Sequence, residues 1–135
     1  MKRRILFLCT HNSARSQMAE GLLRHLGGDH FVIFSAGTEA TFVRPLAIQA
    51  MAELGMDISN QQSKTLDRSL HEPFDEVITV CDTAAETCPV FPGAKKRRHW
   101  SLEDPSQATG TEEEQLAVYC RVRDELRSRI EQELL

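Results

Sequence analysis

A cysteine stands six positions before an arginine–serine pair in the segment Cys9-Thr10-His11-Asn12-Ser13-Ala14-Arg15-Ser16. That spacing has a definite chemistry. Five intervening residues can wrap so that successive backbone N–H groups point inward, making an anion nest at the start of a helix. Arg15 closes the ring and offers two parallel donors to a tetrahedral oxyanion. Thr10, His11, Asn12, Ser13, Ala14 and Arg15 are therefore the candidate oxyanion-binding residues. The same positive surroundings favour the thiolate form of Cys9, the candidate nucleophile, and the Ser16 hydroxyl can donate a hydrogen bond to its sulfur. Asn12 is a residue type that tolerates the left-handed conformation such a loop needs. A chain of this composition, with its four cysteines, contains the pattern by chance only about one time in twenty.

Three further groups carry candidate chemistry. Cys81 and Cys88 lie seven positions apart. Each alone reads as core packing, but together they are a thiol pair that can end as a disulfide and so deliver two electrons. Asp104-Pro105 alone reads as a turn, although an aspartic acid facing the nest could protonate a departing oxygen. Cys120 falls on an apolar helical stripe with Leu116, Tyr119, Leu126 and Ile130, and packing is the expected role. Lys95-Lys96-Arg97-Arg98 reads as a solvated basic strand, with anion steering or docking of an acidic partner as the second reading. His25, His30 and His71 show no ligand spacing and are expected at the surface.

The elements that must position these residues follow from periodicity. Arg4–Leu8 is a short, continuously apolar run and predicts a buried strand. Met18, Leu22, Leu23 and Leu26 share a stripe in a helix from Ala14 that Gly27 and Gly28 stop. Phe31–Phe34 predicts a second strand closed by Ser35-Ala36-Gly37. Pro45 opens a helix through Leu54, and Asp75–Val80 is a third strand. A short helix is expected from Asp82 to Cys88, where Pro89 forbids continuation. Lys95–Trp100 predicts a fourth strand, and Thr111 with Glu114 forms a capping box for a helix to Leu135. Strictly alternating strands and helices imply a parallel sheet with helices on both faces. Ligands of such folds sit beyond the C-terminal strand ends, where strand order reverses. Cys9, Cys81 and the Ser101–Pro105 loop all fall there.

Composition narrows the class. The chain has 135 residues, 41% hydrophobic and 27% charged, which suits one globular domain over residues 1–135 and excludes a disordered chain. Four cysteines are too few for a disulfide-stapled secreted domain. No apolar run approaches the roughly 20 residues of a membrane span, and the apolar part of the N-terminus is too short for a signal peptide. A net charge of −4 and a pI near 5.7 disfavour a nucleic-acid binder. A cytosolic monomer with reduced thiols is expected.

Cys9-x5-Arg15-Ser16, Gln17-Met18-Ala19-Glu20-Gly21, Ser35-Ala36-Gly37 and Asp104-Pro105 together resemble the low-molecular-weight protein tyrosine phosphatase superfamily, from residue 4 to the last helix. Within it, Ser16-Gln17-Met18, Val80-Cys81-Asp82, Cys88-Pro89 and His99-Trp100 are most similar to the thioredoxin-coupled arsenate reductases. The resemblance implies a four-stranded parallel sheet with a phosphatase-like oxyanion loop after the first strand, and reduction of arsenate to arsenite. It gives Cys9 the attack on arsenate, with phosphate and sulfate as competing anions, and Asp104 the role of general acid. It assigns Cys81 and Cys88 to a Cys9-to-Cys81-to-Cys88 disulfide relay re-reduced by thioredoxin. A phosphotyrosine phosphatase working through a phosphocysteine is the alternative, although Ser106-Gln107-Ala108-Thr109 stands where such enzymes tend to carry aromatics. A redox or anion sensor is a third reading.

The sequence departs from the family pattern at three places. His11 replaces a common glycine, and Ala14 replaces a second loop cysteine. Some relatives hold a potassium ion beside the loop. Asn12, Glu20 and Ser35 match that site, but Lys64 stands where an acidic ligand belongs, so no metal and no cofactor are expected. A disulfide also needs Cα atoms within about 7 Å. A regular helix would hold Cys81 and Cys88 about 10 Å apart, so oxidation is expected to unwind that segment.

Overall fold

A strand covered on both faces needs an apolar residue at every position, and Ile5-Leu6-Phe7-Leu8 fills the middle of β1 (Arg3–Cys9) with no side chain more than 1% exposed. The computed structural model describes residues 2–9, 12, 14–37, 39, 41–65, 72–80 and 94–135. The helix expected at 82–88, with Cys81, Cys88, Thr10, His11, Ser13 and His71, lies outside these residues. His25 and His30 are exposed.

Beside β1 run β2 (Phe31–Gly37), β3 (Phe74–Thr79) and β4 (Ala94–His99), all parallel, in the order β2-β1-β3-β4. The chain passes from β1 to one side, then returns to the other, so strand order reverses between β1 and β3. β2 is longer than its apolar run predicts. Ser35, Ala36 and Gly37 continue it because they pair with Phe7, Leu8 and Cys9, small residues being what a crowded strand end accepts. Cys9 and Gly37 thus end the sheet at one level, with Val80 and Trp100 continuing at the same edge through backbone hydrogen bonds to Leu8 and Thr79.

Three helices complete the described fold: α1 (Arg15–Gly27), α2 (Pro45–Ala52) and α3 (Glu112–Glu133). α2 stops at Ala52 rather than Leu54, and Gly55 (φ 76°) takes the left-handed conformation that ends the turn. Thr111 and Glu114 form the capping box at the start of α3. All three helices contribute to one core against one face of the sheet, where Ile5, Phe7 and Ile78 meet Met18, Leu22, Met51, Val122 and Leu126. On the other face Leu6, Leu8, Ala36, Phe74 and Val77 form a second buried cluster. Cys120 packs half-buried against the larger core, and burial pushes its thiol pKa up.

β4 is an edge strand with Lys95, Lys96 and Arg97 exposed, charges that discourage pairing with another sheet. Arg98 is held by Glu76 at 2.7 Å and Glu133 at 2.8 Å. Among the described helices none is long and apolar enough to cross a membrane.

Candidate active site

The end of β1 delivers Cys9, which is 3% exposed, directly into the loop that starts α1. Within that loop Asn12 has φ 48° and is fully buried. Its side chain ties three parts of the molecule together. Nδ2 donates to Ser16 Oγ at 2.8 Å, while Oδ1 accepts from Gln17 Nε2 at 2.9 Å and from the Lys64 amide at 2.7 Å. Gln17 Nε2 also reaches the Gln62 carbonyl at 2.9 Å, and Gln61 Nε2 binds Gln17 Oε1 at 2.8 Å. Asn12, Ser16 and Gln17 are buried and Gln61 and Lys64 half-buried, so the start of α1 is held from behind by a hydrogen-bond network. Ser16 Oγ accepts from Asn12, which leaves the hydroxyl proton to be donated.

We expect Asn12→Gly to keep the left-handed backbone while removing these side-chain bonds. Because each such bond contributes about 0.5–1.5 kcal/mol, the variant should lose about 1–3 kcal/mol in urea unfolding and about tenfold in kcat/KM. Wild-type values for both would show that the network does not hold the loop.

Arg15 opens α1 and is only 7% exposed. Nη1 donates to the Leu102 carbonyl at 3.0 Å, and Nη2 lies 3.5 Å from Asp104 Oδ2. Nε is buried and has no hydrogen-bond partner among the described residues. Nε and Nη2 form one edge of the planar guanidinium, the edge that presents two parallel donors. A buried donor left without an acceptor is costly, and a tetrahedral oxyanion in the loop would satisfy it.

Asp104 reaches this point from 89 positions further along the chain. Trp100, 1% exposed, packs on Phe7 with ring centroids 6.1 Å apart and donates to Glu133 at 3.2 Å, fixing the root of the loop. Leu102 is buried further along. Asp104 Oδ1 accepts from the Ser106 amide at 2.9 Å and from its hydroxyl at 2.7 Å. Pro105–Gln107 forms a short 3₁₀ turn capped by that carboxylate. With Oδ1 engaged, Oδ2 is the oxygen nearest Arg15.

Behind the loop Glu20 is buried beside α1. Ser35 Oγ donates to Glu20 Oε1, Arg24 Nη2 binds Oε2 at 2.9 Å, and Lys64 Nζ lies 3.9 Å from Oε1 and 2.6 Å from the Gln62 carbonyl. Burial pushes the Lys64 pKa down, opposed by the charge of Glu20. Asn12 Oδ1 already accepts two hydrogen bonds, and Glu20 already faces two cationic side chains. This donor set does not fit a bound metal ion.

The structure thus gathers Cys9, Asn12, Ala14, Arg15, Ser16 and Asp104 at one end of the sheet. Gln17, Gln61 and the Leu102 carbonyl are participants the sequence reading missed. Gln17 carried a faint signal, a long polar residue beside Ser16 on a helix whose neighbours are buried. A backbone carbonyl such as that of Leu102 carries none.

A central-strand thiol, a helix-start loop and a buried arginine at the strand-order reversal define an α/β domain with a cysteine–arginine loop at the end of its central strand. Residues 4–134 match the family model for low molecular weight phosphotyrosine protein phosphatase, and the chain belongs to that family. Among its relatives, an arsenate reductase of Halalkalibacterium halodurans is 51% identical over 129 residues, covering 96% of this chain and 93% of that protein. An arsenate reductase of Bacillus subtilis is 48% identical over 128 residues, covering 95% and 92%. Among solved structures, an arsenate reductase in the phosphate binding state is 34% identical with a TM-score of 0.84, covering 96% of this chain and 95% of that one.

Proposed function

We propose that the protein reduces arsenate to arsenite with electrons from its own cysteines, drawn finally from thioredoxin. The observation that carries this reading is the Arg15 edge, a buried Nε donor without an acceptor among the described residues, beside the carboxylate of Asp104. The arsenate reductases similar over almost the whole chain support arsenate as the oxyanion.

The loop amides and Arg15 hold arsenate, and Cys9 attacks arsenic as the thiolate while Asp104 Oδ2 gives its proton to the departing hydroxide. The Ser16 hydroxyl steadies the thiolate before attack. In the resulting adduct the arsenic is still pentavalent. Cys81 then attacks the Cys9 sulfur; the new S–S bond forms as the S–As bond breaks, and arsenic leaves with the electron pair as arsenite. Cys88 attacks Cys81, freeing Cys9, and the Cys81–Cys88 disulfide is reduced by thioredoxin. No metal takes part; the cation beside Glu20 is supplied by Lys64. The protein works as a monomer in the cytosol.

The test is arsenite production with thioredoxin, thioredoxin reductase and NADPH. Cys81→Ser and Cys88→Ser should each stop multiple turnover while leaving hydrolysis of a small aryl phosphate largely intact. Cys88→Ser should still release one arsenite per enzyme, because the step it blocks follows release. If both variants turn over arsenate normally, the relay is wrong. If the wild type makes no arsenite yet hydrolyses aryl phosphates, the protein is a phosphatase.

A further inference from the structure

Most described lysines and arginines sit beside a carboxylate, including Lys95 with Asp75 at 3.3 Å and Arg98 with Glu76 and Glu133. Lys96 and Arg97, between these two on β4, do not. Both are exposed, and neither has an ion pair among the described residues. Lys2 and Arg44 also lack one, but Lys2 precedes β1 and Arg44 lies over the Phe42 ring. Lys96 and Arg97 are thus an adjacent pair of uncommitted cations on an edge strand. Successive side chains of a strand point to opposite faces. Arg98 reaches Glu133 on α3, so Lys96 shares the α3 side, with Lys95 and Arg97 on the other. Positive charge therefore flanks the edge on both sides. That spread does not grip one small anion; it suits an extended acidic surface.

Topology ties this edge to the relay cysteines. β4 pairs with β3, Thr79 facing His99, and Cys81 follows Thr79 by two positions. Cys88 precedes Ala94, the first residue of β4, by six. Six residues span at most about 22 Å, whereas a docked protein covering about 800 Å² a side reaches about 30 Å across. One partner can therefore touch the basic edge and the cysteine segment together. Edge protection explains charge on β4 but not one sign at every exposed position. The chain as a whole carries −4, and α3 opens with the exposed Glu112, Glu113 and Glu114. An acidic partner is repelled by most of this surface and drawn to β4, which orients its approach.

We propose that Lys96 and Arg97 form the docking edge for an acidic face of the protein that reduces the Cys81–Cys88 disulfide. The inference deepens the proposed function and rests on it for the identity of that protein as thioredoxin. Once docked, one thiolate of the donor attacks the disulfide and a mixed disulfide forms. The donor's second thiol then closes its own disulfide, and both relay cysteines leave as thiols. The two cations take no part in these exchanges. They raise the frequency of productive encounters, and that contribution is screened by salt.

Arsenite production is measured against the concentration of an acidic thioredoxin from low to high ionic strength, then with dithiothreitol, a small neutral reductant, in its place. The double variant Lys96→Gln, Arg97→Gln should raise the KM for thioredoxin about 5- to 10-fold at low salt. It should leave kcat, turnover with dithiothreitol and the binding of inorganic phosphate unchanged, and its defect should shrink at high salt. Arg127→Glu, which makes the same change in net charge on α3, should match the wild type. A wild-type KM in the double variant overturns the proposal. So does an equal rise in Arg127→Glu, which makes the effect one of net charge. Weaker phosphate binding in the double variant would make β4 an anion-steering strand, and a dimer lost with the two cations would make the occupant a second copy; either overturns it. If the wild type makes arsenite with dithiothreitol but not with thioredoxin, or with neither, the reading of the function falls and the proposal with it.

Discussion

Replacing Cys9 by serine is expected to abolish both arsenate reduction and aryl phosphate hydrolysis, with losses of about 10⁴-fold or more, as for removal of a covalent nucleophile. A serine hydroxyl is not appreciably ionised near neutral pH, so the first bond to arsenic or phosphorus does not form. The substitution removes no large apolar contact, because Cys9 is a small side chain at the end of a paired strand, and the fold should persist. Circular dichroism and the binding of inorganic phosphate check that. The variant should still bind phosphate, since the loop amides and Arg15 are untouched. Either activity surviving at near the wild-type rate would remove Cys9 as the nucleophile.

Arg15→Lys is expected to cost on the order of 10²- to 10³-fold in kcat/KM for both reactions, the loss seen when an oxyanion donor is removed. The structure gives the reason. The guanidinium divides its labour: Nη1 is anchored on the Leu102 carbonyl at 3.0 Å, while Nε and Nη2 face the site. An ammonium has one nitrogen and no planar fork. If it stays on Leu102 it offers nothing to the anion, and if it turns to the anion it leaves a buried carbonyl unsatisfied. Phosphate and sulfate should therefore inhibit Arg15→Lys much more weakly than the wild type. Unchanged inhibition constants would place the anion elsewhere.

These two residues were the most legible part of the molecule. A cysteine and an arginine with five residues between them at a strand-to-helix junction form a local motif, and local motifs survive translation from sequence to structure. The element order was legible for the same reason. The strands read at 4–8 and 75–80, which the structure places at 3–9 and 74–79, the helical stripes in α1 and α3, and the capping box at Thr111 each report on neighbours within a few residues. Even the small errors were local: Ser35-Ala36-Gly37 read as a stop because small residues usually punctuate, whereas here they pair with β1.

What periodicity could not supply was which strands would be neighbours, and everything non-local at the site depends on that. The order β2-β1-β3-β4 sets β1 at the reversal, the point of such a sheet beyond which ligands sit. It brings Asp104 Oδ2 within 3.5 Å of Arg15 Nη2, across 89 positions of chain. The Leu102 carbonyl on Arg15 and the Lys64 amide on Asn12 are likewise consequences of packing. A backbone carbonyl or amide looks the same at every position of a sequence. By itself the sequence determined the cysteine–arginine spacing at the strand-to-helix junction and the succession of the described strands and helices. Only the tertiary structure decided which carbonyl fixes the arginine and which network clamps the loop, because those choices belong to surfaces that meet only when the sheet has closed.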